Sequence, residues 1–125
     1  MNWSAIAAFL LALGVALGAF GAHGLRARLE SSGMTSVYEK AVFYHFIHAI
    51  GILLVALLAK TSTISPAGMD RVGWLLLVGI ILFSGSLYVL AFTGVRILGA
   101  ITPLGGIAFI AGWILLVFEV LRSRG

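Results

Sequence analysis

SVYEKAVFYHFIHAIGILLVALLA, residues Ser36 to Ala59, is the stretch on which the fold turns. Its charges stop at Lys40, and the nineteen residues from Ala41 to Ala59 contain no Asp, Glu, Lys or Arg. An apolar run of about 18 residues or more can cross a bilayer as a helix, which satisfies its own backbone where water cannot. Ser36 followed three residues later by Glu39 has the form of a capping box and predicts a helix over about 37–59. Lys60 and the Thr61-Ser62-Thr63 cluster close it.

At about 100° per residue, Lys40, Ala41, Tyr44, His45, His48, Gly51 and Ile52 fall on one side of this helix. Phe43, Phe46, Ile47, Ile50, Leu53 and Leu54 fall on the other and are expected to face lipid. Imidazole is costly against hydrocarbon, so the histidine side is expected to face the helix bundle or a wet crevice.

Similar runs flank this one. Trp3 to Ala22 has an apolar core too long for a signal peptide and no preceding Lys or Arg, so it reads as a retained helix, 3–22. Its Gly14, Gly18 and Gly21 are spaced to let a neighbouring helix approach closely. Ser65-Pro66 is a cap residue followed by a first-turn proline, which predicts a helix over 66–93 with Asp70 near its start. Thr102-Pro103 repeats that signal for a helix over 103–121, where Gly105 and Gly106 permit close packing and Thr102 is expected to cap. Arg26, Arg28 and Glu30 lie on a short interfacial helix between the first two spans, and Arg96 lies in the tight connection from Gly94 to Ile101. With 62% hydrophobic residues, 10% charged residues and a mean hydropathy of +1.17, residues 1–125 read as a single all-α integral membrane domain, a four-helix bundle.

The net charge of +4 comes from basic residues scattered beside hydrophobic runs, where they meet lipid headgroups; no basic patch suited to nucleic acid exists. The absence of cysteine excludes disulfides and thiol chemistry. Membrane lipids are the expected partners, with a homo-oligomer or a membrane-protein partner left open.

Four spans with short connections alternate in direction. The end of the first span, the start of the second, the end of the third and the start of the fourth therefore share one membrane face. That face gathers His23, Tyr38, Glu39, Lys40, Tyr44, His45, His48, Ser84, Tyr88, Thr93, Arg96 and Thr102; of these, His23, Lys40, Tyr44, His45, His48, Ser84, Tyr88, Arg96 and Thr102 form the candidate polar seam. Trp3, Lys60, Asp70, Arg71, Trp74, Glu119 and Arg122 lie at the opposite face and read as interfacial anchors.

The favoured reading of the seam is polar glue between helices. In it, His48 is inward-facing and bonded to a group outside its own helix, with Ser84 and Tyr88 at suitable depth. The alternative is a water-lined site for a proton, a quinone or a small solute. A metal or haem site has a thin ligand set, since His45 and His48 share one helix and no carboxylate lies deep, so neither metal nor cofactor is expected. Ser84-Gly85-Ser86 is no nucleophile elbow, and Gly105-Gly106 follows no strand and has no phosphate-binding lysine.

Five ordered motifs carry a resemblance over nearly the whole chain: Gly18 to Gly24, Tyr44 to His48, Phe83 to Tyr88, Thr102 to Gly106, and Gly112-Trp113. They are similar to those of the domain of unknown function 423 family, small membrane proteins related to transmembrane protein 256 of animals. The resemblance implies a multi-pass membrane protein and supplies no substrate, cofactor or catalytic residue. A non-enzymatic structural or accessory protein is expected; the alternative is a small transport or ligand-binding protein using the seam around His48, Ser84 and Tyr88. The bacterial inner membrane is the expected location. Lys60, Arg71, Arg122 and Arg124 on the terminal face balance Arg26, Arg28, Lys40 and Arg96 on the other. If Lys40 and Arg96 are occupied within the bundle, the termini are cytoplasmic.

Overall fold

The computed structural model describes residues 1–124. It contains helices α1 (Trp3–Ala22), α2 (Arg26–Ser32), α3 (Thr35–Lys60), α4 (Pro66–Ile80), α5 (Ser86–Thr93) and α6 (Thr102–Ser123). A π-helical segment, Ile81–Gly85, joins α4 to α5 without a break in direction, and a 3₁₀ turn, Arg96–Ala100, leads into α6. No strand occurs among the described residues. Four helices are long and apolar enough to cross a membrane: Trp3–Ala22, Thr35–Lys60, Pro66–Thr93 and Arg96–Ser123.

Local chemistry sets most of the boundaries. Ser65 is extended, its hydroxyl accepts the Gly68 N–H at 3.0 Å, and Pro66 follows it as the first helical residue, as the sequence predicts. Gly94 ends α5 in the left-handed region, φ +70°, where its N–H reaches the Leu90 carbonyl.

The expected capping box at Ser36 and Glu39 does not form. Gly33, also at φ +70°, closes α2, and Met34 N–H bonds back to the Leu29 carbonyl, so the chain enters α3 at Thr35 with no room for an extended cap residue. Ser36 is already helical. Thr102 is likewise no cap. The 3₁₀ turn runs directly into α6, and the Thr102 hydroxyl points instead at Ser86, 2.6 Å away.

α3 and the α4–α5 rod form the centre, with α1 packed on α3 and α6 packed on α4. The main core joins Ala7 and Leu10 of α1, Ile52 and Val55 of α3, Val72 and Leu76 of α4, and Phe109 of α6. A smaller cluster at the polar face seats α2 through Leu29 against Tyr38 and Ala91. In lipid such contacts hold by close packing, because hydrocarbon offers no aversion to drive them. The lipid-facing set on α3 holds for Phe43, Ile47, Ile50 and Leu54, which are exposed, whereas Phe46 and Leu53 are half-buried beneath α1 and the core.

Two residues read as anchors turn out to be packed. Trp3 is buried over Gly73, with its indole N–H donating to Asp70 at 2.6 Å. Glu119 is buried against Gly68 and pairs with Arg71 of α4. Both gain a specific partner across the bundle that a headgroup could not match.

Candidate functional site

The seam begins where α1 and α3 run antiparallel. His45 Nε2 lies 2.7 Å from the Leu10 carbonyl, and His45 Nδ1 lies 2.9 Å from the Tyr88 hydroxyl. A carbonyl only accepts, so Nε2–H is the donor and Nδ1 of the neutral ring accepts from the Tyr88 O–H. A hydrogen-bonded chain thus runs from the third span through the second to the first. His45 is 1% exposed, and neither ring nitrogen is left for a ligand.

Gly14 lets Phe46 and His45 approach α1 closely at this level. It stands four residues after Leu10, on the turn whose side chain would cover that carbonyl. A Cβ there would sit 3.2 Å from the Phe46 ring and 3.5 Å from His45 Nε2. The same device recurs seven residues along both helices: the Tyr38 hydroxyl donates to the Leu17 carbonyl, and a Cβ on Gly21 would overlap the Tyr38 ring. Bare carbonyls on α1 are met by polar side chains of α3 at matching heptad spacing. Gly18 lies between the two and is looser, its nearest neighbour being Val42.

Ser84 is fully buried in the π-helical segment and donates to the Ala41 carbonyl of α3 at 2.8 Å. A π turn inserts one residue into an α-helix, and here it changes the azimuth between α4 and Tyr88. On the other side of that segment, Gly105 presses so closely on the Phe83 backbone that a Cβ would collide with the Phe83 amide. Gly106 touches only the edge of the Phe83 ring. Ser86 and Thr102 complete the tie between the third and fourth spans.

His48 departs from expectation. It is buried, 5% exposed, but its Nδ1 donates to the Tyr44 carbonyl of its own helix at 2.9 Å. Its ring stacks on Phe109, centroids 3.5 Å apart and planes 11° apart. No polar group of another helix bonds it among the described residues. The neighbouring rings of Tyr44 and Trp113 complete an aromatic pocket around it, so the expected interhelical bond belongs to His45 instead.

Three further candidates stay outside the seam. His23, Lys40 and Arg96 are exposed. Lys40 is one residue short of the Ala41–His45 azimuth, and at the membrane boundary its ammonium gains more from headgroups than from a bundle that offers it no carboxylate. His23 lies past the last turn of α1, and Arg96 lies on the outer 3₁₀ turn. The sequence places Tyr38 on this face without marking it as a seam member, and it does not single out Ser86 or Arg28, which donates to the Phe92 carbonyl at 2.7 Å. The seven-residue intervals Gly14 to Gly21 and Tyr38 to His45 were the available signal for the first of these.

The chain matches the family model described as Protein of unknown function (DUF423) over residues 17–106. That span holds the seam from Gly18 to Gly106 and most of the chain. The chain belongs to this family. It is 47% identical over 113 residues to a UPF0382 membrane protein of Staphylococcus haemolyticus, covering 90% of this chain and 89% of that one. It is 50% identical over 111 residues to the UPF0382 membrane protein YwdK of Bacillus subtilis, covering 88% of each. No solved structure matches. These relatives are named membrane proteins, and this chain has four helices long and apolar enough to cross a membrane.

Proposed function

We propose that this DUF423 protein is a non-enzymatic structural or accessory component of the bacterial inner membrane, its polar residues serving to fasten its own spans. The observation that carries this reading is His45, whose two nitrogens are both consumed between Tyr88 and Leu10. A group held on both sides and excluded from solvent binds helices together and has no valence left for a substrate. Among the described residues, no enclosed side-chain nitrogen or oxygen lacks a partner. Crevices of about 250 Å³ beside Gly21 and about 440 Å³ beside Lys60 include neither His45 nor His48.

The test is a comparison of His45→Phe and His48→Phe in detergent and in liposomes. Lower stability of His45→Phe with unchanged proton and solute leak supports polar glue; an intact His45→Phe bundle with altered flux overturns it.

One observation favours the alternative, a transport or ligand-binding role. Because His48 Nδ1 donates to Tyr44, its Nε2, which is not fully enclosed, is left as an acceptor that no described residue bonds. An intact His48→Phe bundle with altered flux selects that role.

For orientation, Lys40 and Arg96 are exposed, which removes the premise that they are occupied in the bundle. Arg26 and Arg28 on one face and Arg71 on the other are engaged, which leaves Lys60, Arg122 and Arg124 on the terminal face without an ion pair among the described residues, against Lys40 and Arg96 on the other face. This balance supports cytoplasmic termini. A cytoplasm-dependent reporter fused to the C-terminus is expected to be active; a silent, stably inserted fusion reverses the assignment.

A further inference from the structure

We infer that the crevice at the terminal face binds the headgroup of a phospholipid carrying both a phosphate and a primary amine. The crevice, about 440 Å³, opens where the start of α1, the end of α3 and the start of α4 meet. Ala56, Ala59 and Met69 give it an apolar floor continuous with the spans, while Lys60 and Asp70 bring opposite charges to its rim.

Neither charge is neutralised within the protein. Among the described residues the ion pairs are Arg26–Glu30 and Arg71–Glu119, so Lys60 and Asp70 have no ionic partner. Arg71, next to Asp70 in sequence, is drawn to Glu119 of α6. Asp70 is fixed by the Trp3 indole, which donates to Oδ1 at 2.6 Å and leaves Oδ2 to accept from another donor. Trp74, half exposed and packed edge to face on Trp3 at 5.6 Å, places this level at the membrane–water boundary where indoles concentrate.

A phosphate requires a cation with N–H donors, which Lys60 supplies; a primary ammonium requires a carboxylate, which Asp70 supplies. The apolar floor suits the acyl chains below such a headgroup and has no use for a free soluble phosphoamine. A lipid with phosphate alone would place its anion beside Asp70 uncompensated, and a quaternary amine has no N–H to give Oδ2.

Native mass spectrometry of the full chain in micelles doped with phosphatidylethanolamine, phosphatidylglycerol and phosphatidylcholine of one acyl composition tests this. Phosphatidylethanolamine is expected to be retained over phosphatidylcholine by about fivefold, the worth of one interfacial charge contact, with phosphatidylglycerol weakest. Asp70→Asn keeps an oxygen for the Trp3 indole and is expected to erase the preference over phosphatidylglycerol. Lys60→Gln alters an exposed side chain with no internal ion pair, so it reports even if the Asp70 variant misfolds, and it is expected to lower retention of all three lipids. Free phosphoethanolamine is expected to leave the bound lipid in place. Equal retention of the three lipids, an unchanged ranking in Asp70→Asn with native tryptophan emission, or undiminished retention in Lys60→Gln overturns the inference. So does displacement by free phosphoethanolamine.

Discussion

His45 and His48 lie three residues apart on one helix and play different parts, because each meets a different neighbour. His45 faces the bare Leu10 carbonyl beside Gly14, whereas His48 faces the Phe109 ring. An interhelical hydrogen bond within a membrane averages about 0.6 kcal/mol and reaches about 1.7 kcal/mol at most. Replacing His45 with Phe removes two such bonds, and the expected loss is about 1–2 kcal/mol in a reversible detergent unfolding titration. His48→Phe preserves the stack and breaks only a bond within its own helix, so the same titration is expected to move by less than about 0.5 kcal/mol. A larger loss at His48 than at His45 would reverse the assignment of roles.

At the scale of elements, the α1–α3 interface repeats one device seven residues apart, and its glycines are unequal. Gly21 lies under the Tyr38 ring, while the Cβ of an alanine at position 18 would meet Val42 at an ordinary 3.5 Å. Gly21→Ala is therefore expected to cost about 1–3 kcal/mol by overpacking, and Gly18→Ala much less, measured as thermal midpoints in one detergent. Equal midpoints for the two variants would show that α1 does not pack as described. The π-helical segment is the second decisive element. Deleting Leu82 removes the residue that the π turn inserts and leaves Tyr88 at its azimuth, whereas inserting an alanine after Ser86 turns Tyr88 by about 100° away from His45. The insertion variant is expected to lose its sharp unfolding transition or fail to accumulate; an insertion variant of native stability would show that the azimuth of Tyr88 is not decisive.

Across the whole molecule, the two ends of the bundle are fastened by different means. At the polar face the ties are neutral, through Tyr38, His45, Ser84 and the Ser86–Thr102 pair. At the terminal face Arg71 and Glu119 form an ion pair between α4 and α6, with Glu119 buried and Arg71 half exposed. Removing Arg71 alone leaves a buried carboxylate uncompensated, whereas removing both charges leaves none. Arg71→Met is expected to lower the melting temperature, and the double variant with Glu119→Leu to recover most of the loss. If the double variant is the less stable of the two, the pair contributes net attraction that outweighs its desolvation.

The sequence by itself determined the four spans, their alternating direction, the ends that meet at each face, and the Ser65-Pro66 start of α4. Each depends on local quantities: the length of an uncharged run, a connection too short to turn otherwise, and a hydroxyl beside its own helix N-terminus. The candidate site was legible only in outline. Depth and azimuth brought Tyr88 and Ser84 to the histidine face, but choosing His45 over His48 required knowing which carbonyl on α1 was bare. The partnership of Trp3 with Asp70 spans 67 positions and that of Arg71 with Glu119 spans 48. Only tertiary structure decided these contacts, and the close fit of Gly105 against Phe83, because they depend on the rotation of one helix against another. A rotation of about 60°, the angle separating residues three apart on a helix, exchanges one set of partners for another while leaving the local sequence pattern unchanged.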